Sequence, residues 1–156
     1  MTAADPFAGF VERTASELAA QGFPRMPANV IMALTASEDG RLTAGELAER
    51  LGVSAGAISG AIRYLSTIGM VRSSVVPGTR RHVYALPADD RPWYTVSLTR
   101  PGLYGHIVTL LRSEVERLPA GGARDRIAEM ADFFAFIDAR MPQLLEEWKA
   151  QRTRRR

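Results

Sequence analysis

Three observations predict a fold that is mainly α with a small β-wing. Apolar residues recur at the three-to-four residue spacing of amphipathic helices along most of the 156-residue chain. Two short helix patterns in the first half, each with its own start signal, are joined through Gly52. Directly after them, residues 70–86 read as two short extended runs around Pro77-Gly78-Thr79.

The first helix is predicted from about Pro6 to Ala20. Phe7, Phe10, Val11, Thr14 and Leu18 share one stripe, and Gly22, Phe23 and Pro24 end it. A second helix is expected to begin at Pro27, a residue suited to the first helical position, with Val30, Ile31 and Leu34 on its apolar face. Ser37 to Gly40 is a turn, and Arg41-Leu42 a short extended piece. Thr43-Ala44-Gly45-Glu46 has the spacing of a capping box, in which the Thr hydroxyl caps a backbone N–H and the Glu reaches back. Leu47, Ala48 and Leu51 continue that helix, and Gly52 closes it with a left-handed cap. Ser54 caps the next helix, which runs to about Ile68. The hairpin follows, with Met70–Val76 going out, His82–Leu86 returning, and Arg80 and Arg81 at or near the tip. After a linker at residues 87–92, a helical pattern resumes at Trp93, is interrupted at Pro101-Gly102, and repeats through Ile107, Leu110, Leu111, Val115 and Leu118. The last helix is predicted over about Ala123 to Arg152, with Pro142 expected to bend it.

Composition bounds the function. Hydrophobic residues are 46% and charged residues 24% of the chain, as in an ordinary globular protein. With no cysteine, disulfides, thiolate metal sites and cysteine nucleophiles are excluded. The N-terminal residues lack the pattern of a signal peptide, and no apolar run approaches the ~20 residues of a membrane span, so a cytoplasmic protein is expected. Net charge is +3, unevenly distributed: residues 41–86 hold six arginines against two glutamates, between mildly acidic flanks. A basic middle segment points to a polyanion partner.

The order helix, helix, short strand, capped helix, glycine turn, capped helix, hairpin is that of a winged helix-turn-helix. In the second capped helix Ile58, Ile62 and Leu65 fall on the inner face. At about 100° per residue, Gly56, Gly60, Arg63 and Thr67 then point outward, with Ser59 on the flank. Two glycines in a helix interior cost about 1 kcal/mol each relative to alanine, so their placement on the outward face carries information. It lets the helix lie close to a phosphate backbone or a base edge, or else to another helix. Arg63 can fork onto guanine or a phosphate. Ser54 and Ser59 can donate to phosphates near the helix N-terminus, where Ala55 and Gly56 also lie. Arginines on a projecting ribbon suit a minor groove or phosphates.

Residues 26–86 resemble the MarR family of bacterial transcriptional regulators, and within it the GbsR-like sub-branch. The stretch LTAGELAERLGVSAGAISGAIRYLSTIGMV carries most of that resemblance. It implies an N-terminal dimerisation helix at 1–25, a winged helix-turn-helix at 26–88, and C-terminal dimerisation helices with a basic tail at 89–156. It further implies a homodimer on a palindromic operator in double-stranded DNA, acting as a repressor commonly relieved by a small ligand. By resemblance Ser54 to Arg63 match the recognition helix and Thr79 to His82 the wing; Thr43, at the start of the preceding helix, completes the expected DNA-binding set of Thr43, Ser54, Ala55, Gly56, Ser59, Gly60, Arg63, Thr79, Arg80, Arg81 and His82.

Other features are read beside this one. The cluster Phe133, Phe134, Phe136 and Ile137 is apolar around more than half the last helix, which one small domain cannot cover and a two-fold partner can. Phe10, Phe23, Met26, Trp93, Tyr94 and Tyr104 offer aromatic surface suited to a small amphipathic or aromatic ligand, although packing in a core or a dimer interface accounts for them more simply. The two histidines, His82 and His106, are far apart and near no carboxylate cluster, so neither a metal nor any other cofactor is expected. No Ser-His-Asp order in a strand-turn-helix context, glycine-rich phosphate loop or pair of cleft carboxylates points to an enzyme. The Arg-rich end reads as a solvated helix terminus, or as a phosphate-binding tail. The alternative to a DNA-binding regulator is a winged-helix protein-interaction module without specific DNA binding, which an apolar outward face on the second capped helix would favour.

Overall fold

The structure is a computed structural model that describes residues 7–87 and 103–154. The element order is α1 (Ala8–Ala20), α2 (Arg25–Thr35), β1 (Arg41–Thr43), α3 (Ala44–Leu51), α4 (Ala55–Thr67), β2 (Arg72–Val75), β3 (His82–Ala85), α5 (Leu103–Arg117) and α6 (Gly122–Arg154). The chain divides into two compact units, Met1–Trp93 and Tyr94–Arg156. The helix expected from Trp93 and the Pro101-Gly102 interruption lie outside the described residues.

In the first unit one apolar core joins four helices to a three-stranded sheet. Val11 of α1, Val30, Ile31 and Leu34 of α2, Leu47 of α3, and Ile58, Ala61, Ile62 and Leu65 of α4 meet there, with Val71 beyond α4. The α4 residues follow the i, i+3, i+4, i+7 spacing of a one-sided helix, so four side chains are buried and the opposite face is left in solvent. Ile58 and Leu65 have no solvent exposure, and each such burial contributes about 2–3 kcal/mol. The core includes Val11, so α1 is built onto the winged unit through α2, against which it packs.

The start of α2 differs from expectation. The helix begins at Arg25, with Pro24 at its N-cap, so Pro27 is its third residue and not its first. The position costs nothing, because the N–H groups of a first helical turn have no partner inside the helix and the missing donor is not needed. The α3–α4 connection is as short as its signals imply. Gly52 adopts φ +64°, a left-handed conformation that glycine takes without steric penalty. Its amide donates to the Glu49 carbonyl and that of Val53 to the Ala48 carbonyl, so the chain turns from one helix into the next within three residues.

The sheet order is β1-β3-β2, antiparallel throughout. The hairpin strands are shorter than the sequence suggests, four residues each. Thr43 lies opposite Val83 and Leu42 opposite Tyr84. Leu42 and Tyr84 pack against the core, which fastens the base of the wing to α3.

In the second unit α5 packs along α6. The Arg124 guanidinium donates to the Val115 carbonyl at 2.9 Å across the bend between them. Helix α6 runs 33 residues with Pro142 inside it and Arg152 and Arg154 in its last turn. Among the described residues no helix is long and apolar enough to cross a membrane.

Candidate nucleic-acid interface

Two parts of the first unit assemble the residues expected to meet DNA. The first is the outward face of α4. Ser54, Ala55, Gly56, Ser59, Gly60 and Arg63 are all exposed. Ser54 holds the N-cap, its Oγ accepting from the Ala57 amide at 3.3 Å, and this leaves the hydroxyl proton available to an outside acceptor. A Cβ built at Gly60 would meet nothing within 4 Å, and one at Gly56 would meet only the Ser54 hydroxyl at 3.9 Å. The two glycines therefore do not make room for another helix of this unit. They flatten a surface that faces solvent. Arg63 is at the edge of that surface and makes no ion pair among the described residues, and Thr67 Oγ1 donates back to the Arg63 carbonyl at 2.9 Å. The face carries no large apolar side chain except Tyr64 at its margin, which is 38% exposed and meets Phe23 edge-on with ring centroids 5.8 Å apart.

The second part is the wing. Gly78 has φ +77°, which allows the chain to reverse. Thr79 closes the turn: its hydroxyl donates to the Val76 carbonyl at 3.0 Å and accepts from the Arg81 amide at 3.1 Å. Arg80, Arg81 and His82 are exposed. His82 Nδ1 lies 3.2 Å from Ser73 Oγ on the neighbouring strand, so that nitrogen faces the sheet.

Two of the expected site residues prove to be engaged within the protein. Thr43 Oγ1 donates to Glu46 Oε2 at 2.7 Å and accepts from the Glu46 amide at 3.3 Å. Its amide also donates to Glu46 Oε2, at 2.7 Å. The single hydroxyl proton of Thr43, like that of Thr79, is thus already used. Both residues shape the surface around them. The same contacts hold the Glu46 carboxyl below the usual carboxylate range, through the Thr43 amide first, then the Thr43 hydroxyl, with a smaller contribution from the positive charge of Arg81. The sequence carried the capping box in plain view, but not the influence of Arg81 on Glu46, which depends on strand register.

The aromatic residues expected as a ligand site do not form one group. Phe23 and Met26 pack against the core of the first unit, and Phe10 is exposed on α1. In the second unit Tyr104 stacks on Phe134 with centroids 5.7 Å apart. Trp93 and Tyr94 lie outside the described residues. A cavity of about 210 Å³ beside α1 is lined by Ala8, Val11, Glu12, Asn29, Arg50, Leu51 and Val53, and so by none of the six. Among the described residues no three His, Asp or Glu side chains are grouped so as to hold a metal ion.

The chain was compared with known proteins. No curated protein matches it. A crystal structure of a transcriptional regulator is 22% identical, with 91% of this chain and 97% of that chain covered and a TM-score of 0.78, so the two share a fold. Weaker similarity is found to Sco3205, a MarR family transcriptional regulator from Streptomyces coelicolor in complex with DNA (23% identity, 82% of this chain and 81% of that chain, TM-score 0.44). It is found also to the MepR–DNA complex of S. aureus (14% identity, 83% and 90% coverage, TM-score 0.43). A MarR family model matches residues 21–82, and the model of MmpR5-like MarR family transcriptional regulators matches residues 91–151. Neither description is of the GbsR-like sub-branch. Between them the two models take in the winged unit and the C-terminal helices, and the chain belongs to the MarR family, whose members are transcriptional regulators and not enzymes.

Proposed function

We infer that the protein is a cytoplasmic, homodimeric repressor that places α4 in the major groove of a palindromic operator and the wing beside it. The observation that carries this reading is the outward face of α4, where two positions without side chains open onto solvent next to a capped N-terminus and an arginine that makes no ion pair among the described residues. A groove floor can approach such a face closely. Arg63 is long enough to reach a guanine edge or a phosphate, and the Ser54 hydroxyl and the first-turn amides of Ala55 and Gly56 face outward as phosphate donors. The polar character of the face argues against a protein-interaction module.

A second copy of the chain is the natural cover for the apolar side of the C-terminal helices. Leu110 on α5 and Phe133 and Phe136 on α6 are each about 60% exposed, more large apolar surface than a monomer normally leaves in water. Two-fold symmetry would place two recognition helices about 34 Å apart, one turn of DNA. Release by a small amphipathic or aromatic ligand belongs to the same reading and rests on the family resemblance.

The test is binding of the protein to duplex from its own upstream region and to a scrambled duplex across a salt series. Preference for the first duplex at physiological salt, with two protomers per site, is the expected result. In the same assay Arg63→Ala should weaken specific binding by ~1–3 kcal/mol. Equal, steeply salt-sensitive binding to both duplexes, unaffected by Arg63→Ala, would overturn the docking of α4.

A further inference from the structure

The two wing arginines have different surroundings. Neither makes a hydrogen bond or ion pair through its side chain among the described residues, but their backbones and neighbours differ. Arg81 is built into the wing: its amide donates to the Thr79 hydroxyl and its carbonyl accepts from the Val76 amide at 2.9 Å. Register then decides where its side chain goes. Because Thr43 pairs with Val83, the residues just before Val83 on the third strand pass the point where β1 becomes α3. Arg81 and His82 accordingly line a cleft of about 530 Å³ together with Thr43, Gly45, Glu46 and Tyr84. On the α3 side of that cleft the Glu46 carboxylate is held in place by two 2.7 Å hydrogen bonds from Thr43. A fixed negative charge therefore shares a cleft with one wing arginine and not with the other, at more than ion-pair distance, and Arg81 makes a small contribution to the acidity of Glu46.

We propose that Glu46 is a positioning residue for the wing, drawing Arg81 back towards α3 and leaving Arg80 as the cation that enters DNA. This rests on the DNA-binding reading above and divides between two residues a role that the sequence assigns to both. Two consequences follow from charge alone. A cation that stays beside a carboxylate when DNA arrives releases few counterions, whereas a free one releases its full share. Removing the carboxylate's charge should free Arg81 to contact DNA as well. The capping box accepts glutamine as readily as glutamate at this position, so Glu46→Gln removes the charge and keeps the helix start.

The experiment uses the full chain and two readouts. In the salt series, Arg80→Ala should flatten the slope of log affinity against log salt by about one unit per protomer. Arg81→Ala should weaken binding while leaving the slope unchanged, and Glu46→Gln should steepen it. That steepening should vanish when Glu46→Gln is combined with Arg81→Ala. A slope flattened equally by either arginine variant, or steepened by Glu46→Gln even without Arg81, would overturn the proposal. The second readout needs no DNA. Titration of the Glu46 carboxyl by NMR should show its midpoint rising in Arg81→Ala and holding in Arg80→Ala; the same response in both variants overturns the tie. If the unsubstituted protein bound neither duplex, the DNA-binding reading would fail, and with it the role of Arg80. The titration would still decide whether Glu46 holds Arg81.

Discussion

Gly60 is where stability and the proposed function pull in opposite directions. A methyl group there would meet nothing within 4 Å, and the position is in the middle of a 13-residue helix. Gly60→Ala should therefore stabilise the fold by up to about 1 kcal/mol, measured by urea denaturation. If α4 lies against DNA, the same methyl group should lower operator affinity. A rise in both stability and affinity would remove the reason for a glycine at that place. Glu46 offers a second prediction of this kind. Its carboxyl is more acidic in the folded chain than in the unfolded one. It therefore contributes stability that is fully present above the unfolded value, and this contribution is lost as pH falls through the folded value. Urea midpoints of the unsubstituted protein should fall across that acid window more steeply than those of Glu46→Gln, the two curves converging at lower pH. Parallel curves would show that the carboxylate contributes no such stability.

Helix α4 shows how an element can serve two purposes with opposite faces. Ile58, Ala61, Ile62 and Leu65 hold it to the core, while the polar face is left for a partner. Leu65 is fully buried, so Leu65→Ala should cost ~2–5 kcal/mol, the usual range for such a truncation. Thermal melts will check the magnitude. Most of this element was legible beforehand, because the serine cap, the apolar spacing and the outward glycines are local in sequence. The limits of α2 were less legible, since Pro27 is acceptable anywhere in the first helical turn and cannot mark which residue begins it. The wing strands were predicted too long for a related reason. β-propensity marks residues that suit an extended chain, but pairing ends where the partner strand ends.

For the whole molecule the open question is what covers the C-terminal helices. Phe133 and Phe136 are 58% and 61% exposed, and replacing both with glutamate places charge on that face while keeping the stack of Phe134 on Tyr104 that joins α6 to α5. The double variant should keep its helical circular dichroism and sediment as a monomer at micromolar concentrations. It should also lose operator affinity, because two half-sites would no longer be held by one particle. A variant that stays dimeric would locate the interface elsewhere.

The winged helix-turn-helix was legible from local patterns of residues alone. Its signals are the Thr43 and Ser54 caps, the left-handed Gly52, the period of the apolar residues and the turn at Gly78, and each acts over a few neighbouring residues. The sequence also revealed which face of α4 is outward, since one helical period relates the buried residues to the exposed ones. The tertiary structure decided what depends on residues far apart in the chain. It showed that Gly56 and Gly60 open onto solvent and not onto another helix of the winged unit. It showed that the hydroxyls of Thr43 and Thr79 are already occupied. It brought Arg81 to the cleft that holds Glu46, 35 positions earlier in the chain, through the pairing of β1 with β3. Strand register is set by the packing of Leu42 and Tyr84 on a core drawn from four helices, and no local pattern of residues encodes that.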